Sequence, residues 1–122
     1  MAKLESKSLG APEEVRPFQD GMGQMDVVHL EGGPVGIGTF KPGWKWSAHV
    51  APIAGTDSCQ VGHLGYVVSG RMKVVMDDGA EIVIGPGEAC DIPPGHDAWT
   101  VGDEACVLVD FGGLQGYAVK GG

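Results

Sequence analysis

The sequence predicts an all-β domain, an antiparallel sandwich or barrel, from three observations. Short runs rich in Val, Ile and aromatic residues recur at close intervals from residue 26 onward, bounded by turn residues, which is the pattern of short strands. The 22 glycines and 8 prolines are spread along all 122 residues, so they mark many turns and no linker or repeat. No stretch carries the apolar spacing of a long amphipathic helix. The length is that of one domain with a core large enough to stand without disulfide staples.

Taken in order, residues 1–24 read as an N-terminal arm, charged and interrupted by Pro12, Pro17, Gly21 and Gly23. Residues 25–122 read as the barrel domain. DVVHL (26–30) and PVGIGTF (34–40) are strands joined by EGG, a turn signal. WKWSAHV (44–50) reads as a third strand, because alternation sets Trp44 and Trp46 against Lys45, Ser47 and His49. APIAGTDSCQVG (51–62) reads as a long loop. HLGYVVSG (63–70), RMKVVMDDG (71–79) and AEIVIGPG (80–87) are strands that end at Gly70, at a hairpin turn over 77–79 and at a turn over 85–87. EACDIPPG, AWTVGDE and ACVLVDF complete the set, roughly nine strands in about 90 residues. The tail GGLQGYAVKGG holds one helical turn at most.

Charge narrows the partners. The formal net charge is -8, from 16 acidic and 8 basic residues, so no nucleic acid and no anionic membrane surface is expected to bind. No apolar run reaches the length of a membrane span, and the charged N-terminus lacks the hydrophobic core of a secretion signal. Cys59, Cys90 and Cys106 are an odd number, which favours reduced thiols and a cytoplasmic location.

Cys59 and His63 stand four positions apart, on one face of an extended chain. They either share a metal ion, or Cys59 packs as a small hydrophobe while His63 is a polar residue at a strand entrance. Cys90 and Cys106 lie on apolar strands and read as core, as do Met72 and Met76. Tyr66, opposite in parity to His63, is assigned to packing, and His29 to the surface. Trp44, Trp46 and Trp99 either line a pocket or cap the barrel. Asp97 is either a turn acceptor or the partner of an imidazole. The glycine-rich turns open no helix, so no phosphate loop is expected. No serine sits in a nucleophile elbow.

The order of turns and polar residues adds a family pattern. Gly43 precedes His49 by five intervening residues, His63 precedes Gly70 by six, and Gly87 precedes Pro93, Pro94, Gly95 and His96 by five. Over about residues 34 to 111 this resembles the cupin family, whose first motif is a glycine, five residues, His-x-His, a glutamate, six residues and a glycine. Its second motif is a glycine, five residues, Pro-x-Gly, two residues and a histidine. In this chain Ala51 replaces the second histidine, His63 stands in the glutamate's place, and His96 follows Gly95 directly while Ala98 takes the expected histidine position.

The resemblance implies a jelly-roll barrel, a tendency to form homodimers, and ligands that face one interior. His49, Cys59, His63 and His96 are then the expected metal shell. Imidazoles with a thiolate make that shell softer than three histidines and a glutamate, which puts zinc first, with nickel, copper, iron or manganese as alternatives. The function implied is a metal-binding small cupin acting on, or binding, a small-molecule ligand inside the barrel. As an enzyme it would run oxygenase, isomerase or lyase chemistry. The other reading is a non-enzymatic ligand-binding or sensor barrel, with or without metal. A shell closed by four protein ligands would favour a structural or sensing role, and an open position would favour chemistry.

Overall fold

Alternation along the strands builds two antiparallel sheets around one core. The computed structural model describes residues 3–112, Leu114 and residues 117–119. Among them the strands are β1 (Glu14–Pro17), β2 (Gly23–Leu30), β3 (Gly33–Phe40), β4 (His63–Ser69), β5 (Arg71–Met76), β6 (Glu81–Ile84), β7 (Ala89–Ile92), β8 (His96–Val101) and β9 (Cys106–Gly112). Six form one sheet in the order β1-β2-β3-β9-β4-β7, and three form the other in the order β6-β5-β8. Two single-turn helices, α1 (Trp46–His49) and α2 (Ala51–Ala54), link β3 to β4. No helix among the described residues is long and apolar enough to cross a membrane.

Every second side chain of the central strands enters the core: Val67 from β4, Met72 and Val74 from β5, Ala98 from β8, Cys106 and Leu108 from β9. Phe18, Phe40 and Trp44 pack ring against ring, with centroids 5.3 Å apart for the two phenylalanines and 4.5 Å for Phe40 and Trp44. Such aromatic pairs add to the stabilisation from burial itself. The three cysteines are free and buried.

Three local expectations meet a different outcome. Residues 44–50 do not continue as a strand. Extended backbone ends at Lys45, which bridges to Trp99, and the next residues turn into α1. The cause is tertiary: Asp97 Oδ1 accepts the Ser47 N–H at 3.1 Å and so caps the new helix. Trp44 and Trp46 are nevertheless both buried, because one tight turn delivers them to the same interior. The N-terminal arm contributes β1, which pairs with β2. Tyr66 is not packed; it faces outward from β4 at 44% exposure, between Leu64 and Val68.

The expected helical turn in the tail falls largely outside the described residues. Of the part described, Leu114 and Tyr117 are buried, and Arg16 on β1 donates to the Tyr117 carbonyl at 2.9 Å.

The β4–β5 turn depends on Gly70. Its φ is +74°, and a Cβ there would lie 2.2 Å from the Ala105 carbonyl oxygen. Gly70→Ala combines left-handed strain with a backbone clash. It is expected to lower stability by at least about 2 kcal/mol, read as a lower urea midpoint at unchanged m-value.

Candidate metal centre

Three different elements deliver the polar side chains of the interior. His63 opens β4 on the face that Gly65 and Val67 bury. His96 opens β8 on the face shared with Ala98 and Thr100; the preceding Gly95, at φ +92°, makes the sharp entry. Cys59 comes from the loop after α2 and is held by an isolated antiparallel bridge to His96. The Cys59 N–H donates to the His96 carbonyl at 2.7 Å, and the Gly95 N–H to the Cys59 carbonyl at 2.7 Å.

One donor atom from each of Cys59, His63 and His96 lies within 4.8 Å of the other two. Cys59 Sγ is 3.7 Å from His63 Nε2, close to the roughly 3.5 Å that separates sulfur and nitrogen in a tetrahedral zinc shell. His63 Nδ1 is 2.7 Å from Asp110 Oδ2, and His96 Nδ1 is 2.7 Å from the Pro93 carbonyl. A carbonyl only accepts, so His96 Nδ1 carries the hydrogen, and the carboxylate places one on His63 Nδ1 in the same way. Each Nε2 is then the free ring nitrogen, whose lone pair can take a metal or, without one, a hydrogen shared with the Cys59 sulfur. Metal-binding histidines are oriented by this kind of bond, to a carboxylate or a backbone carbonyl. The residues present therefore fit a soft transition metal.

Asp110 is the residue that sequence reasoning missed. It is 1% exposed, and its second oxygen accepts the Gly112 N–H at 3.0 Å. Its signal was available, since Asp110 shares parity with Cys106 and Leu108 on β9 and so points inward. Beside the two imidazoles of this cluster lies a cavity of about 30 Å³ lined by His63, His96, Asp110, Trp44, Trp46, Tyr117 and apolar side chains. The Tyr117 ring meets His63 edge-on at 4.9 Å.

No protein-family model matches this chain, and no curated protein does. Solved structures do. An RmlC-like cupin from Shewanella frigidimarina is similar at TM-score 0.57 and 19% identity, over 94% of this chain and 96% of that one. A double-stranded β-helix protein from Klebsiella pneumoniae is similar at TM-score 0.59 and 22% identity, over 94% and 96%. The chain has the cupin fold. The polyketide cyclase RemF from Streptomyces resistomycificus shares it at TM-score 0.62 and 18% identity, over 90% of this chain and 79% of that one.

Within the cupin barrel, the four expected ligands divide. Cys59, His63 and His96 come together, and His49 does not join them. His49 ends α1, where its Nδ1 accepts the Lys45 N–H at 3.0 Å. The motif position is right in spacing, but the helical turn after Lys45 removes the side chain from the interior. Asp97 partners no imidazole; besides capping α1 it accepts the Ala98 N–H. Trp44 and Trp46 line the cavity, whereas Trp99 lies outside, its ring within 5.2 Å of the Lys45 ammonium.

Charge in the cluster is redistributed when no metal is bound. Burial opposes ionisation of the Cys59 thiol, yet hydrogen bonds from His63 and His96 outweigh it and bring the pKa down to about 6. Burial likewise opposes a charged His63, but Asp110 and the thiolate hold its pKa up at about 9. Burial raises Cys90 and takes Cys106 up to about 11, with neighbouring negative groups adding to both. The thiolate absorbance of metal-free protein therefore reports Cys59 alone near neutral pH. It is expected to appear as pH rises through about 6, while the His63 imidazolium resonance persists to about 9. Asp110→Asn removes the carboxylate that favours His63⁺, so the imidazole pKa should fall and the thiol pKa rise. An Asp110→Asn titration that superimposes on the wild type would refute the coupling.

Proposed function

We propose that this chain is a mononuclear metal protein of the cupin fold that binds a small molecule inside its barrel, with Cys59, His63 and His96 as the protein ligands and zinc as the first metal. The observation that supports it is the convergence of one thiol and two imidazoles whose Nδ1 atoms are both already engaged. Two nitrogens and a sulfur suit zinc better than manganese or magnesium. With His49 outside, three protein ligands leave one tetrahedral position for a ligand facing the cavity. That favours binding or chemistry over a closed structural shell. When bound, such a metal supplies Lewis acidity at that position.

The chain's own residues supply the rest. Asp110 keeps the proton on His63 Nδ1 and raises the basicity of Nε2. The Cys59–His96 bridge sets the thiol against the second imidazole. The buried aromatic wall excludes bulk water, which strengthens every electrostatic contact inside.

A second reading rests on the chain Cys59–His63–Asp110, in which a thiolate, an imidazole and an orienting carboxylate stand in the order of a nucleophilic cysteine centre. It leaves the engaged Nδ1 of His96 without a role, so we rank it second. Elemental analysis of untagged protein separates the two, with about one zinc per chain expected. Cys59→Ser, His63→Ala and His96→Ala should each weaken zinc binding by more than about 100-fold, and His49→Ala should leave it unchanged. Absence of metal uptake, together with a Cys59 that is alkylated far faster than Cys90 or Cys106, would select the nucleophile instead.

A further inference from the structure

Among the described residues, two buried side-chain polar atoms have no hydrogen-bond partner: Nε1 of Trp44 and Nε1 of Trp46. The two residues are 2% and 1% exposed, and both line the cavity that holds His63, His96 and Asp110. An unpaired buried N–H costs about 1–3 kcal/mol, and buried tryptophans usually find a partner for theirs. Neither indole has one on the cavity wall. Asp110 is engaged by His63 and Gly112, neither indole bonds the hydroxyl of Tyr117, which also lines the wall, and Met25, Phe40, Met72 and Leu108 offer no oxygen. The cavity therefore carries surplus donors beside a metal-binding cluster.

Its size limits what can accept from them. A volume of about 30 Å³ holds two or three water-sized positions, at about 10–15 Å³ each. A carboxylate of one or two carbons fits such a space and has about four lone-pair sites on two oxygens. A water has two, too few to serve two indoles and a metal together.

We propose that the cavity is a binding site for a small carboxylate, held by the indole N–H groups of Trp44 and Trp46, with one oxygen at the position that Cys59, His63 and His96 leave open. The last clause rests on the metal reading; the indole contacts do not. The same wall thus selects ligand size and polarity together. Trp44 and Trp46 set the donors, and the aromatic wall rejects anything larger.

The test uses the full chain, zinc-loaded and zinc-free, titrated with formate, acetate and benzoate. In two-dimensional NMR the indole N–H resonances of Trp44 and Trp46 should shift on adding formate or acetate and stay put with benzoate, with Trp99 as the internal control. Calorimetry should show one site per chain, and Trp44→Phe and Trp46→Phe should each weaken carboxylate binding about tenfold. The NMR readout needs no variant, so a poorly folding one does not weaken the test. Stoichiometric zinc binding with no carboxylate uptake, or uptake that leaves both indole resonances in place, overturns the proposal. If zinc fails to bind while formate still moves both indoles, the metal reading falls and the indole site stands. If neither occurs, both fall.

Discussion

A carboxylate buried to 1% exposure must have its charge answered, and the arrangement of the interior follows from how Asp110 is answered. Leaving it unpaired would be costly enough to neutralise it or unfold its surroundings. Its oxygens instead take one backbone N–H, from Gly112, and one imidazole N–H, from His63. The second bond decides which nitrogen of His63 is free, and that nitrogen faces Cys59. One hydrogen bond on β9 thereby sets the chemistry of a residue on β4 and of a thiol in a loop.

Strand β8 does comparable service on both of its faces. His96 points inward as a donor and holds Cys59 through backbone bonds. Asp97, next along and on the other face, caps the helix that carries Trp46 to the cavity wall. Two adjacent residues therefore tie the Cys59–His63–His96 cluster to the cavity wall, because strand neighbours face opposite ways. A shift of β8 by one residue would disturb both at once.

The fold alone does not choose an activity. The similar solved structures share it at about one residue in five, and one scaffold of this kind hosts unrelated functions. What the interior of this chain gathers is one thiol and two imidazoles, with the Asp110 carboxylate one hydrogen bond removed, on His63.

Fold class and most strand limits were legible in the sequence, because period-two alternation and turn residues act within a few positions of each other; the total of nine strands agrees only because the unforeseen β1 replaces the strand expected over 44–50. The same local rules made Cys59, His63 and His96 candidates, and parity on β9 would have marked Asp110 as inward. The helical turn over 46–49 was harder to read, since beside the local Lys45–His49 bond its cap, Asp97, lies some 50 positions along the chain. The turn holds His49 away from the cluster and Trp46 at the cavity. The orphaned indole donors were equally out of reach, because whether a buried N–H has a partner depends on every element packed around it. Local periodicity determined which strands form, and contacts between distant residues decided which side chains meet.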